Sequence, residues 1–498
     1  MKFEVETEYM ITNIVKDNSR SADNSIKKDN SGRNDDKIKS PIGLGIAVVF
    51  ILLGIVLPWL TGGDPAQYRV MAILLAATTL WATGALDPTI VSIAIIVLMP
   101  LLKVLPYDEA VAQLGDTILW RLMGLFIFIA AIKKSGLARR IAFNILKLAK
   151  GNVRAFLFLV IINMYILTFI VPAIMGRTML MLSMVVGLFS AFKLSAPSNI
   201  GKSIMIALAY LSLITGTSSM FGSSTSILAV SLFQQIGDYS FTYMNWLIAN
   251  APVSFTITVS IYFILTRLYP PEMESFPGGT MYIENELKEM GSLSLTEKKV
   301  LIIFIFLLSF WILNIASIPT ELIAALLLML PKIGFMSWKD ASKEVNWGVM
   351  LLFGSGLTIA DALQKTNVIT EATQFVLSYS GNFSPLVLAI VIFALTVLIR
   401  LGMMNLMAVV ATFMPLVLHL GQGVGINPIW VGMISLFAGN AVFLPTQSPS
   451  GIITYEYGFY SVKEMIWVGV WLTVISFVVT LLAAFLYWPL IGIPIHLN

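Results

Sequence analysis

Cysteine is absent from the 498-residue sequence, which excludes disulfides and thiolate metal sites. Histidine is nearly absent. His419 and His496 are the two present, too few for a His-rich metal centre. Charge is scarce as well: 12% of residues are Asp, Glu, Lys or Arg, 57% are hydrophobic, and mean hydropathy is +0.87. No soluble fold hides that much apolar sequence, and many segments reach the ~20 residues that cross a bilayer. The chain therefore reads as an all-α polytopic membrane protein with the lipid bilayer as its obligatory partner. A formal net charge of +4 is small, so no nucleic-acid partner is expected, and the basic residues read better as topology signals.

Residues 1–41 are rich in Lys, Asp, Asn and Ser with nearly balanced charge, the composition of a disordered cytoplasmic tail. No cleaved leader is expected, because the apolar run that follows is too long for a signal-peptide core. The first transmembrane helix is placed within 42–66, and spans follow near Val70–Leu86, Ile90–Leu105 and Ile118–Ile132. The segment KKSGLARRIAFNILKLAKGNVR then carries Lys133, Lys134, Arg139, Arg140, Lys147, Lys150 and Arg154 with no acid. By the positive-inside rule it is cytoplasmic. Its period predicts an amphipathic interfacial helix with Leu137, Ile141, Ile145 and Leu148 on one side. Two apolar arms within 155–192 are joined by PAIMGRT. Hydropathy does not separate two crossing arms from a re-entrant hairpin, since both leave the parity unchanged.

A run of hydroxyls and glycines, Ile214–Ser226 (ITGTSSMFGSSTS), interrupts the next apolar segment. Lipid cannot bond exposed backbone groups, so a helix that unwinds there must be lined by protein, water or an ion. Close helix packing through small residues is the plainer reading. A second interruption at Leu444–Gly451 (LPTQSPSG) favours the first, because paired broken spans point to a transporter's midplane site. Between them, 269–298 is a polar cytoplasmic linker with Pro270, Pro271, Pro277, Gly278 and Gly279. Residues 67–268 and 299–498 read as two repeats, the second with its own arms within 384–421. Trp120–Leu137 resembles Leu351–Val368 at constant offset, pairing Lys134-Ser135-Gly136 with Lys365-Thr366-Asn367. Span counting puts these equivalent segments on opposite sides, as inverted repeats require. The N-terminus is then cytoplasmic and the C-terminus extracytoplasmic, in a plasma (inner) membrane.

Three stretches resemble the divalent anion/sodium symporter family of di- and tricarboxylate and sulfate carriers: NWGVMLLFGSGLTIADALQKT, IPTELIAALLLMLPKIGFMSWKDASKEVNW and SVKEMIWVGVWLTVISFVVTLL. The resemblance covers about Ile42–Leu490. It implies eleven spans, two re-entrant hairpins opening from opposite faces, a homodimer and elevator-type alternating access. It also implies a small anionic substrate at the hairpin tips, with sodium as the coupling ion. The family's Ser-Asn-Thr tip, ten residues ahead of a proline, falls here on Ala173-Ile174-Met175 with Ser183 at the proline's place. The second tip falls on Asn405-Leu406-Met407 with Pro415 in place. Neither keeps the triplet, and Met175 and Met407 make the expected pocket more apolar.

The substrate-binding candidates are the two tips, then Gly176, Arg177 and Thr178, and Thr446, Gln447 and Ser448 of the second break. An arginine at membrane depth costs roughly 2.5–3.5 kcal/mol on insertion scales, so it faces protein or a water path. A guanidinium fork suits a carboxylate. Arg177 and Arg400 each read either as such a ligand or as a structural arginine, Arg400 by reaching the interface. Helix N-termini near Thr178 and Met407 would turn positive ends toward an anion. Sodium candidates are Gly216, Thr217, Ser218, Asn405 and Thr446, which offer carbonyl, hydroxyl or amide oxygens. No other cofactor is expected. Asp361 and Glu321 are the acids nearest membrane depth, candidates for proton coupling. An intramembrane enzyme using Ser218 or Ser219 with His419 is the rival of a different class, resting only on a loose Gly-x-Ser echo. The other readings are an anion exchanger without sodium and a transporter-like protein that binds without transporting.

Overall fold

The computed structural model describes residues 40–171, 173–192, 194–276, 279–315, 319–368, 384–403 and 405–497. The predicted tail up to residue 39, and most of the stretch 364–382, lie outside the described residues. The fold is all-helical. In chain order the helices are α1 (Pro41–Thr61), α2 (Pro65–Thr83), α3 (Pro88–Leu101), α4 (Tyr107–Ala112), α5 (Thr117–Ser135), α6 (Leu137–Lys147), α7 (Val153–Ile170) and α8 (Ile174–Ala191). They continue with α9 (Asn199–Ile214), α10 (Ser224–Gln235), α11 (Tyr243–Leu268), α12 (Gly279–Glu289), α13 (Leu295–Ile312) and α14 (Thr320–Met329). The last are α15 (Trp338–Glu344), α16 (Trp347–Lys365), α17 (Pro385–Gly402), α18 (Leu406–Gly423), α19 (Pro428–Ala438), α20 (Pro449–Glu456) and α21 (Val462–Leu482).

Local sequence explains many of these starts. A capping side chain followed by proline opens α1 (Ser40), α2 (Asp64), α3 (Asp87), α17 (Ser384), α19 (Asn427) and α20 (Ser448). The cap accepts an N–H that the helix leaves unpaired, and proline supplies the first-turn φ without needing a donor. Among the described residues, nine helices are long and apolar enough to cross a membrane, or ten if the bent pair Tyr107–Gly115 and Thr117–Ser135 is one span. The shorter apolar helices α3, α14 and α19 complete the set. α1 is covered by protein over 22% of its apolar window and α9 over 94%. The first therefore turns most of its apolar surface outward and the second is the core of the molecule.

The sequence boundaries need adjustment at three places. α8 begins at Ile174, earlier than the expected start near Thr178, so Arg177 lies in its first turn rather than in a loop. The second broken span opens at Gly439, ahead of Leu444, and closes at Ser448. On α6 the buried face is Leu137, Ala138, Ala142, Phe143 and Leu146, while Leu148 is 66% exposed. The helix turns that face onto α7 and α12, because ion pairs dock its basic side on the linker helix. Arg139 meets Glu286 of α12 at 2.6 Å, and Arg140 meets Glu297 at the start of α13 at 2.6 Å.

Candidate functional site

Both helix pairs and both broken spans converge on one cavity of about 420 Å³. From the first pair come Ala173, Ile174 and Met175, and from the second Asn405, Leu406 and Met407. The first break contributes Leu213, Phe221, Ser224, Thr225 and Ile227, and the second Thr446, Gln447, Pro449 and Ile452. α5 closes one wall with Leu122, Leu125, Phe126 and Ile129, and α16 adds Asn346 and Val349. None of the described lining residues is charged.

Positive potential comes instead from backbone. The N-termini of α8, α10, α16, α18 and α20, five in all, lie on this cavity. Each carries about half a positive charge on unpaired N–H groups. Four are capped by side chains. Ser223 accepts from Ser226 N at 3.1 Å, Asn346 from Val349 N at 3.0 Å, Asn405 from Met407 N at 2.9 Å and Ser448 from Gly451 N at 2.9 Å. The N-cap of α8, Ala173, has no side chain that can cap. The N–H groups of Ile174, Met175 and Gly176 therefore have no acceptor within their helix. Asn405 spends its oxygen on its own helix and keeps its amide N–H groups.

The breaks keep their shape by backbone contact. A Cβ on Gly222 would stand 2.5 Å from the carbonyl oxygen of Gly216, and one on Gly451 would stand 2.6 Å from that of Pro445. Only glycine permits either approach. The hydroxyls of Ser212 and Ser450 bond at 2.6 Å and tie one break to the other.

Several candidates stand away from the cavity. Gly176, Arg177, Thr178 and Ser448 do not line it. Arg177 is fully buried, its Nη1 donating to the carbonyls of Val171 (2.8 Å) and Gly222 (2.7 Å) and its Nη2 to that of Ser212 (3.0 Å). Arg400 does not reach a surface. It too is fully buried, with Nε on the carbonyl of Gly439 (3.2 Å), Nη2 on that of Gln447 (2.5 Å) and Nη1 on that of Met403. Of the sodium candidates, Asn405 and Thr446 line the cavity, whereas Gly216, Thr217 and Ser218 are buried behind it. Thr217 Oγ1 donates to Ile214 O (2.8 Å), Ser218 Oγ to Thr215 O (2.5 Å), and Gly216 O accepts from Ser226 (3.0 Å). The hydroxyl of Ser218 is thus on backbone, and His419 bonds Gln422 at 3.1 Å. No hydrogen bond makes a Ser–His pair of them. Glu321 accepts from Trp311 Nε1 at 2.8 Å and Asp361 pairs with Lys365 at 2.9 Å.

Sequence reasoning missed Ser224, Thr225, Asn346 and the α5 wall as site residues. The first two lay inside the hydroxyl run, and Asn346 carried the signature of a cap ahead of an apolar helix. Nothing in the pattern of α5 marked Phe126.

Comparison with known proteins finds relatives along most of the chain. A membrane protein of Cupriavidus necator is 27% identical over 475 residues, spanning 90% of this chain and 93% of its own. A sodium-dependent dicarboxylate transporter SdcS of Staphylococcus saprophyticus is 25% identical over 456 residues, 86% of this chain and 87% of that one. The SdcS of Staphylococcus aureus strain USA300 is 25% identical over 501 residues, 91% and 92%. Among solved structures, Neisseria gonorrhoeae MtrF, titled as one of a class of antimetabolite efflux pumps, aligns with a TM-score of 0.49 at 12% identity, covering 92% of this chain and 97% of that one. The family model of the sodium:sulfate symporter transmembrane region matches residues 39–493. With that match across nearly its whole length, the chain belongs to the sodium:sulfate symporter family, the divalent anion/sodium symporters.

Proposed function

We propose that the protein is a secondary carrier for a small organic dianion, a dicarboxylate with an apolar middle. The observation that carries this reading is charge balance. Two fully buried guanidinium groups, one behind each tip, make no ion pair among the described residues. Uncompensated charge at membrane depth is costly, and an anion bound nearby offsets it. A dianion in the cavity matches both, one carboxylate toward each tip. The open N-terminus of α8 and the amide of Asn405 are the donors for these carboxylates. The walls from α5, with Met175 and Met407, suit a hydrocarbon linker better than a compact oxyanion.

The two arginines also support the reading of two inverted repeats, because each fastens the break of a helix pair to a broken span. A pair so fastened travels with its broken span, which favours elevator-type movement over opening at the tips. The basic face of α6, docked on the acidic linker helix, supports a cytoplasmic placement for both and with it a cytoplasmic N-terminus and extracytoplasmic C-terminus in the plasma (inner) membrane. A second copy of the chain is the partner that the family resemblance implies.

Uptake of radiolabelled succinate into proteoliposomes loaded with unlabelled succinate tests the function. Protein-dependent, saturable entry is expected. A folded protein that binds succinate and moves none is a binding or sensing relative, and one that neither binds nor moves it is no dicarboxylate carrier.

A further inference from the structure

The staphylococcal relatives are named for sodium dependence. In broken-helix transporters, coupling ions are held by backbone carbonyls of unwound segments and half-helix C-termini. Two carbonyl sets of that kind flank the cavity here, and they correspond between the halves. Val171 and Met403 each close the first arm of a helix pair. Gly222 and Gln447 each precede the serine that caps a second half-helix, Ser223 or Ser448. Ser212 lies in the last turn of α9 and Gly439 caps the end of α19. Each set faces a guanidinium.

The arginines themselves do not correspond. Arg177 follows its tip and Arg400 precedes its tip, so their side chains arrive from opposite arms. Two non-equivalent residues delivering the same group to equivalent carbonyls indicate that the cages are what the halves repeat. In the first break the carbonyls of Ile214, Thr215 and Gly216 already accept from the hydroxyls of Thr217, Ser218 and Ser226. A second cation entering either cage would meet a like charge at contact distance in a medium that screens it weakly. Sodium does not fit these residues.

Resting on the anion-carrier reading above, we infer that Arg177 and Arg400 are resident cations standing where a mobile coupling ion would bind, and that the protein is an anion exchanger independent of sodium. A tethered cation crosses with the site in both directions, so its gradient cannot drive transport. An empty carrier would carry both buried positive charges without a counter-anion, which disfavours its return. The return step therefore needs a second dianion.

Two measurements decide this. The first is [14C]succinate entry into proteoliposomes with and without internal unlabelled succinate, in sodium, potassium or N-methylglucamine buffers. Entry is expected to be strongly stimulated by internal succinate and alike in all three. Accumulation driven by a sodium gradient into empty vesicles, or a loss of about tenfold without sodium, overturns the inference. The second contains no substrate, so it stands even if succinate is not the ligand. Thermal unfolding of the purified wild type is expected to be the same in NaCl and KCl at equal ionic strength. Arg177→Ala is expected to unfold several degrees lower and to recover part of the loss with millimolar guanidinium. A sodium-specific rise in the wild type overturns the inference. The wild-type comparison decides the matter if the variant does not fold.

Discussion

Arg400 and Gln447 hold one another through two hydrogen bonds that run in opposite directions. Arg400 Nη2 donates to the carbonyl of Gln447 at 2.5 Å, and Gln447 Nε2 donates to the carbonyl of Arg400 at 2.8 Å. Gln447 Oε1 also accepts from the N–H groups of Phe443 (2.6 Å) and Leu444 (2.8 Å). One amide thus fixes the first arm of the second helix pair to the second broken span. Gln447→Leu leaves these partners unpaired, at roughly 1–3 kcal/mol for each that stays buried. The unfolding temperature of the detergent-purified variant should fall well below that of Thr446→Ala, whose side chain is at an exposed position. Equal values for the two would show that the amide is not holding the break.

The uncapped N-terminus of α8 makes a prediction with two signs. Ala173→Ser supplies the missing cap, and serine at this position is worth about 1 kcal/mol over alanine. The substrate-free protein should therefore become more stable. The hydroxyl would also take an N–H that the anion uses, so succinate affinity should fall. A rise in stability with unchanged affinity would place the carboxylate elsewhere.

Asn405 caps α18 with its oxygen and lines the cavity. Asn405→Asp keeps the cap and replaces the donor by a negative charge. Stability should change little while KM for succinate rises by about tenfold or more, the effect of losing a hydrogen bond to a charged group. A variant with ordinary KM would remove Asn405 from the site.

Glu272 tethers the start of α9, accepting from Asn199 N at 2.5 Å and Ile200 N at 3.0 Å. Burial alone would raise its pKa, but the hydrogen bonds from Ser198 and from the N–H groups of Asn199 and Ile200 outweigh it and hold the carboxyl below the usual range. A lowered folded-state pKa means that its stabilisation is present above the ordinary glutamate pKa and is lost as pH falls through the folded value. Wild-type protein should lose thermal stability between about pH 5 and pH 3, and Glu272→Gln should lose less over that range. Identical slopes would show that other carboxylates govern acid sensitivity.

The frame of the molecule was legible because its signals are strong and local. Apolar length and hydroxyl-rich interruptions each have a direct physical consequence in lipid. The tips were found at Ala173–Met175 and Asn405–Met407 through resemblance, and the structure brings them to one cavity. The role of Arg177 was not legible. A guanidinium beside a tip reads equally as a ligand or as a structural arginine until its three acceptor carbonyls are known, and two of them, Ser212 and Gly222, come from residues 35 and 45 positions away. The same holds for Leu148, whose exposure follows from which face the linker helix covers.

Charge matching across the two tips is tested most directly by competition. [14C]succinate exchange in proteoliposomes would be measured against unlabelled succinate and against butyrate, which has the same carbon count and one carboxylate. The account predicts full competition by succinate and inhibition by butyrate that is about tenfold weaker or less, the loss of one charge-assisted contact. Equal competition by butyrate would contradict it, because a site answering to two buried arginines must distinguish a dianion from a monoanion.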